Sequence, residues 1–190
     1  RTVLKVLKHT VGLRALKRMN HKKRHAVVTN YHDANNVGAI YFAKSESDFI
    51  LVKQFIKFLK SEYGIRNARA FAYIDAMDVP GYFLRGTDQD WITQKDLAWN
   101  SKPMGESYNK FVTEPLDILI DLTDGDCLPL LFAQKESTAN FKVGKSGAGN
   151  EDQFDMLVQV NDDDTFDKYL HKVNHFLKVI NQPKKAYEHA

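Results

Sequence analysis

Residues 37–75 decide the fold class, and they read VGAIYFAKSESDFILVKQFIKFLKSEYGIRNARAFAYID. The segment opens with a continuous apolar run, which is typical of a strand buried on both faces of a sheet. An amphipathic helix follows, because Ser45 offers an N-cap, apolar residues recur at helical spacing, and Gly64 suits a left-handed stop. A second apolar strand, 68–74, ends at Asp75. The pattern predicts a β-α-β unit and therefore a parallel sheet.

Strands and helices continue to alternate after this unit, although residues 76–103 show no clear element. The elements predicted beyond them are a helix at 106–112, a strand at 116–122, a helix capped by Asp124 or Asp126, strands at 141–143 and 154–160, and a helix whose stripe runs from Phe166 through Phe176 to Ile180. We therefore predict a three-layer α/β/α sandwich, Rossmann-like, with about five mostly parallel strands. The Gly-rich loop 144–150 is too short for a crossover helix, so we expect the last two strands to pair antiparallel at an edge.

The domain boundaries follow the charge pattern of the chain. Residues 1–32 contain nine Lys and Arg and no acid, whereas residues 33–190 contain 18 bases and 24 acids. We interpret residues 1–32 as a basic arm, 33–182 as a single α/β domain and 183–190 as a loose tail.

The basic arm predicts a partly amphipathic helix that Gly12 weakens. Its apolar stripe is Leu4, Leu7, Val11 and Ala15. Such an arm can bind RNA phosphates, lie on an anionic membrane surface, or fold back onto its own acidic domain. The residues expected to contact a polyanion are Lys5, Lys8, Arg14, Lys17, Arg18, Lys22, Lys23 and Arg24.

A second candidate site lies where two predicted strands end. Asp75 and Asp121 follow parallel strands, and open α/β sheets bind ligands outside the carboxyl ends of their strands. Such acids can act as general bases or simply cap turns, so they are weak catalytic candidates. The loop 91–103 adds possible pocket residues, namely Lys95, Trp99 and Lys102, and this mixture of aromatic and basic groups can also stack on single-stranded nucleic acid.

Three further patterns predict little chemistry. The segment 142–146, KVGKS, lacks the first glycine of a phosphate-binding loop and the helix that should follow it. His171 and His175 have metal-ligand spacing without a third ligand, so an exposed pair is favoured. Cys127, the single cysteine, permits no internal disulfide and is expected to be buried rather than reactive. We predict no metal and no cofactor.

Four stretches carry a resemblance to a known family. They are Gly38–Phe42, Lys95–Trp99 with Lys102-Pro103, Glu114–Leu122 and Phe141–Lys145. From about Asn35 to Asn181 the chain resembles an uncharacterised bacterial family, a domain of unknown function found in Bacteroidetes. The resemblance implies a small cytoplasmic α/β protein with a basic N-terminal helix, and it supplies no activity, cofactor or catalytic residue.

Two classes of function remain open at this point. We favour a non-enzymatic cytoplasmic module whose arm docks on RNA or on a ribonucleoprotein such as the ribosome, while the body can bind a protein partner. The alternative is a small enzyme or ligand-binding protein with a polar site near Asp75, Asp121 and the loop 91–103. Association with a membrane surface is third, and no run of 18 uncharged apolar residues is present to span a bilayer.

Overall fold

The structure is a computed structural model that describes residues 2–19, 24–83, 86, 88–123, 125–147, 151–161 and 163–181, with side chains from Val6 onward. The helices are α1 (Thr2–Arg18), α2 (Glu46–Tyr63), α3 (Glu106–Thr113), α4 (Leu128–Glu136) and α5 (Phe166–Val179). The strands are β1 (Asn36–Phe42), β2 (Asn67–Tyr73), β3 (Gln89–Ile92), β4 (Ile118–Asp121), β5 (Phe141–Lys145) and β6 (Met156–Val158). Short 3₁₀ helices lie at Gln94–Asp96 and Glu151–Gln153.

The six strands form one sheet in the order β3-β2-β1-β4-β5-β6, and every neighbouring pair is parallel. This is the strand order of a classical doubly wound sheet, so the predicted α/β class is confirmed. One apolar core fills the space between the sheet and the helices α2 and α5. A second core lies on the opposite face, beneath α3 and α4.

The sheet differs from the expectation at two places. It has six strands rather than about five, because β3 is a four-residue strand inside the irregular segment 76–103. The expected antiparallel pairing of the last two strands is wrong, because β5 and β6 are parallel. Within this short crossover the Phe154 ring packs against Gly144, where a Cβ atom would come within 2.4 Å of the ring.

The helix ends follow the predicted capping chemistry in one case and depart from it in another. Ser45 and Asp48 form a complete capping box on α2, and Gly64 ends that helix with a φ of 64°. In contrast, the residue at the N-cap of α4 is Cys127, without a side-chain hydrogen bond, so the cap expected from Asp126 is wrong. Its alternative, Asp124, lies outside the described residues.

The last helix, α5, packs on the sheet through fewer residues than the sequence pattern predicts. Tyr169, Leu170, Val173 and Leu177 are its buried residues. The side chain of Phe176, which the predicted stripe includes, is 44% exposed. Thr165 caps the helix by accepting a hydrogen bond from the backbone N–H of Lys168.

The N-terminal helix α1 packs along α4, and the two helices run in the same direction. His9 pairs with Asp126, Gly12 lies against Leu128, and the Leu16 carbonyl accepts a 2.9 Å hydrogen bond from the Lys135 ammonium group. A Cβ atom at Gly12 would lie 2.4 Å from both the Asn100 carbonyl oxygen and a Leu128 methyl carbon. Gly12 therefore permits the close approach of α1 to the body.

The segment 24–31 then crosses from the α4 side of the sheet to the α5 side. Val27 N donates to the Asn140 carbonyl at 3.1 Å, and Tyr31 N donates to the Leu177 carbonyl at 3.0 Å. The predicted arm thus contacts the α/β body through α1 and through residues 24–31. The predicted tail, 183–190, lies outside the described residues.

Candidate functional site

A cleft of about 480 Å³ opens at the carboxyl edge of the sheet. It lies beside the point where the strand order reverses, between β1 and β4, which is where open α/β sheets bind ligands. Four parts of the chain line it: the ends of β1 and β2, the segment 94–101, the start of α4, and α1. The lining side chains that could contact a ligand through charge, hydrogen bonds or stacking are Lys8, His9, Tyr73, Asp75, Trp99 and Asp126.

Asp75 lines this cleft, and two hydrogen bonds orient its carboxylate. Its Oδ1 atom accepts hydrogen bonds from the Tyr73 hydroxyl at 2.9 Å and from the Gln94 amide at 2.7 Å. Burial, followed by the hydrogen bond to Asp75, raises the pKa of Tyr73, so the tyrosine remains a donor. The carboxylate itself is exposed and offers an oriented acceptor to a ligand.

Trp99 occupies the tip of a tight turn at the side of the cleft. Ala98 N donates to the Lys102 carbonyl at 2.8 Å, and Ser101 N donates to the Ala98 carbonyl at 2.9 Å. Ser101 has a φ of 65°, which closes the turn in the left-handed region. Trp99 is 66% exposed, so much of its ring surface is open to solvent.

The two lysines predicted for the pocket have other partners. Lys95 Nζ lies 2.6 Å from an Asp78 carboxylate oxygen, in a neighbouring cavity beside β3. Lys102 Nζ lies 2.6 Å from Glu136, which also accepts a hydrogen bond from the Tyr108 hydroxyl at 3.0 Å. Of the three pocket residues predicted from the loop, only Trp99 is among the described residues that line the cleft.

Helix α1 forms the outer wall of the cleft through Lys8 and His9. The imidazole Nε2 of His9 lies 3.0 Å from Asp126 Oδ2, which fixes this end of the helix to the start of α4. Sequence reasoning placed Lys8 in the arm and missed its position in the cleft. The signal that could have indicated it is Gly12, since a glycine inside a helix often marks a close packing contact.

Cys127 lines the cleft, whereas Asp121, at the end of β4, is not among the described residues that line it; both are buried. Asp121 accepts a 2.8 Å hydrogen bond from the Thr123 N–H, yet its burial raises the pKa of the carboxyl above its usual value. Burial, reinforced by Asp121, Asp126 and Asp75, raises the pKa of the Cys127 thiol, so the thiol stays protonated at neutral pH. The site therefore offers binding groups more readily than a nucleophile.

The place where doubly wound sheets hold a phosphate is filled by the chain itself. The Asp48 carboxylate accepts hydrogen bonds from Lys44 N at 3.0 Å and Ser45 N at 2.9 Å, in the turn after β1. In the segment 142–146, the Lys142 ammonium group is buried and donates to the Gln134 carbonyl at 2.6 Å. The Lys44 and Ser45 N–H groups are therefore occupied by Asp48, and the Lys142 ammonium group is occupied by a backbone carbonyl, unlike the phosphate-binding groups of a nucleotide-binding loop.

The residues expected to contact a polyanion divide into three groups. Lys8, Arg14, Lys17 and Arg18 are exposed on α1. Arg24 instead forms a two-pronged ion pair with Asp155, at 2.7 and 2.8 Å. The structure does not describe the side chain of Lys5 or any part of Lys22 and Lys23.

The predicted histidine pair is solvent-exposed, with His171 lying 3.5 Å from Asp167. Within the described part of the chain, no group of three or more His, Cys, Asp or Glu side chains is arranged to hold a metal ion. Nor do the described residues include a helix with the length and apolar character required to cross a membrane.

A family model matches residues 8–180, which takes in most of α1 and the whole sheet. The chain belongs to the family of unknown function DUF6913. The resemblance to an uncharacterised family is confirmed, and the DUF6913 match begins within α1 rather than at Asn35. No curated protein and no solved structure was found to match the chain.

Proposed function

We propose that this DUF6913 protein is an RNA-binding module of the bacterial cytoplasm, with no catalytic role. The outward face of α1 lies along RNA phosphates, and the target is an RNA or a ribonucleoprotein such as the ribosome. The α/β body holds α1 in place and can carry contacts to a protein partner.

The observation that supports this proposal is the orientation of α1. The helix contacts the body through His9, Gly12 and Leu16, which share one face. Arg14 lies about 200° around the helix from Gly12, because successive residues turn by about 100°. Arg14, Lys17 and Arg18 follow a spacing of three and four residues, so they share the opposite face, and all three are exposed.

The charges around the outward face of α1 favour a polyanionic ligand. They do not favour an acidic surface of the protein itself as the partner of this face. The only acid that the described contacts place against α1 is Asp126, which pairs with His9 on the docking side. No acid occurs within residues 1–32 to neutralise the three basic side chains. Contacts between such side chains and phosphates release counterions and therefore depend strongly on salt.

The test measures the affinity for a single-stranded RNA at several salt concentrations. Each neutralised phosphate contributes about −0.7 to the log–log slope of affinity against salt. The combined variant Arg14→Gln, Lys17→Gln, Arg18→Gln is expected to make this slope shallower by about 2, since it removes three contacts.

The matched control removes three exposed basic side chains from the body, through Lys57→Gln, Arg66→Gln and Lys110→Gln. This variant has the same net charge as the α1 variant and is expected to keep the wild-type slope to within about 0.5. Equal slopes for the two variants, or binding that ignores salt, would contradict the proposal.

An anionic membrane surface is the second candidate, and one observation favours it. Val6 and Leu7 are 61% and 56% exposed on α1, and a helix with apolar and basic outward residues can lie on a bilayer. Sedimentation with phosphatidylserine vesicles, with phosphatidylcholine vesicles as the control, separates the two candidates. Binding to the anionic vesicles without binding to RNA would favour the membrane.

A further inference from the structure

We infer that Lys135 is a positioning residue for the RNA-binding end of α1, because it keeps the turn that carries Lys17 and Arg18 ordered before RNA binds. The RNA ligand rests on the proposed function, whereas the contact itself rests on the structure. Lys135 lies in the last turn of α4, and its Nζ atom donates a 2.9 Å hydrogen bond to the Leu16 carbonyl. Leu16 immediately precedes the two basic residues in the chain.

The basic end of α1 has little in its own sequence to keep it ordered. Arg14 lies three and four residues before Lys17 and Arg18, so three like charges share one face and repel one another. The last carbonyls of a helix have no partner within the helix, and helix ends therefore fray. Gly12 lowers the intrinsic stability of the helix further. The order of this end must come from contacts with the α/β body.

Lys135 supplies such a contact at the end of α1. The contacts through His9 and Gly12 lie at least four residues earlier in the helix. Lys135 is only 7% exposed, and no acid in the described part of the chain forms an ion pair with it. A buried ammonium group is costly unless its charge is compensated. Because α1 and α4 run in the same direction, the partial negative charge at both C-terminal ends provides that compensation.

The end of α4 is a firm anchor for this contact, because its last residues hold other elements as well. Gln134 donates a 3.1 Å hydrogen bond to the Gln153 carbonyl. Glu136 forms an ion pair with Lys102 at 2.6 Å. Since α4 is held on these sides, the hydrogen bond from Lys135 restrains the end of α1 rather than following its motion.

An end that is already ordered binds phosphates more tightly than a frayed one. A frayed segment loses conformational freedom when it binds, and this loss lowers its affinity. The contacts in the complex are the same in both cases, so the number of neutralised phosphates and the salt slope do not change. Weaker affinity at an unchanged slope therefore identifies a positioning residue, whereas loss of a residue that contacts a phosphate changes both quantities.

The test is Lys135→Met, which keeps the length of the side chain and removes its charge and its donor. At a temperature where the variant is folded, we expect single-stranded RNA to bind about tenfold more weakly, equivalent to about 1.4 kcal/mol, with the wild-type salt slope. Amide hydrogen exchange at Lys17 and Arg18 is expected to become about tenfold faster. Lys135→Arg restores a charged donor and is expected to recover most of the affinity.

The matched control is Lys142→Met. Lys142 on β5 is also a buried lysine that donates to a backbone carbonyl at the end of α4, in this case that of Gln134 at 2.6 Å. Because this hydrogen bond does not involve α1, the variant is expected to lower the free energy of unfolding and to leave RNA affinity unchanged. The exchange at Lys17 and Arg18 should also stay at the wild-type rate.

Two outcomes would overturn the positioning role. A salt slope that is shallower by about 0.7 in Lys135→Met would mean that the ammonium group itself contacts a phosphate. Wild-type affinity and wild-type exchange in Lys135→Met, with only the free energy of unfolding lowered as in Lys142→Met, would mean that Lys135 supports the fold alone.

Failure of the proposed function is distinguishable from failure of this inference. A wild-type protein that binds no RNA would overturn the proposed function, and exchange at Lys17 and Arg18 would still decide whether Lys135 holds the end of α1. If Lys135→Met does not fold, the wild type still provides a test. Exchange of these two amides as fast as in an unstructured peptide would contradict an end that is ordered before binding.

Discussion

Asp121 is a buried acid whose surroundings oppose its own charge. Its side chain is 6% exposed, and its burial raises the pKa of the carboxyl above the usual value despite the Thr123 N–H and the nearby Lys145 ammonium group. The ionised form therefore costs more in the folded protein than in the unfolded chain, and this cost is present once the pH exceeds the unfolded value of about 3.9.

Asp121→Asn is accordingly expected to raise the free energy of unfolding at neutral pH, since the amide oxygen can still accept the hydrogen bond from Thr123. The gain should shrink as the pH falls through the raised pKa of Asp121 and vanish below about pH 4, where the wild-type carboxyl is also neutral. Urea unfolding at intervals between pH 4 and pH 8 checks this. The exposed Asp33 is the control, because Asp33→Asn removes the same charge without relieving burial. A gain that is independent of pH would contradict the argument.

At the scale of elements, the contact between α1 and α4 depends on the missing side chain at Gly12. In a free helix, alanine is more stabilising than glycine by about 1 kcal/mol. In this structure the added Cβ would lie 2.4 Å from the Asn100 carbonyl oxygen, which belongs to the backbone and cannot turn away.

Gly12→Ala is therefore expected to lower the free energy of unfolding by about 1–3 kcal/mol, the usual cost of overpacking. Gly81→Ala is the control, because a Cβ atom there meets nothing within 4 Å. Chemical unfolding of both variants gives the comparison. A Gly12→Ala protein more stable than the wild type would mean that α1 does not pack on α4 in solution.

The same contact shows which elements the sequence can predict. The helix α2 and its caps follow from local spacing, and so does the buried run of β1. The strand β3 has only four residues, too few for a pattern, and it is defined by its pairing with β2. Local sequence indicates only that Gly12 weakens its helix, because the partner that explains it, Asn100, is far away along the chain.

At the scale of the whole molecule, the alternation of strands and helices was sufficient to predict the α/β class. It was not sufficient to predict which side chains line the cleft. Asp75 and Trp99 were expected near one ligand site, and both line the cleft. Lys95 and Lys102 are turned to Asp78 and Glu136 instead. Periodicity gives no information on such pairings, since they depend on how distant segments meet.

Arg24 distinguishes the residues that hold the molecule together from those proposed to bind RNA. Its guanidinium contacts Asp155 at 2.7 and 2.8 Å and the Asn140 carbonyl at 3.1 Å, so it secures the segment that links α1 to the body. The Asp155 carboxylate also accepts a hydrogen bond from Lys142 N, which fixes it beside β5. Although the arm as a whole is basic, Arg24 has its charge satisfied within the protein.

Arg24→Ala is therefore expected to lower the free energy of unfolding by about 1.5–3 kcal/mol, the range for hydrogen bonds to charged groups. Its RNA affinity, measured at a temperature where the variant is fully folded, should stay within about twofold of the wild type, because no phosphate contact is lost. Arg18→Ala should give the reverse pattern, with unchanged unfolding and weaker binding, since Arg18 is exposed on the outward face of α1. If Arg24→Ala weakens binding as much as Arg18→Ala does, then the RNA follows the linking segment as well as the helix, and the division between docking and binding faces of the arm is wrong.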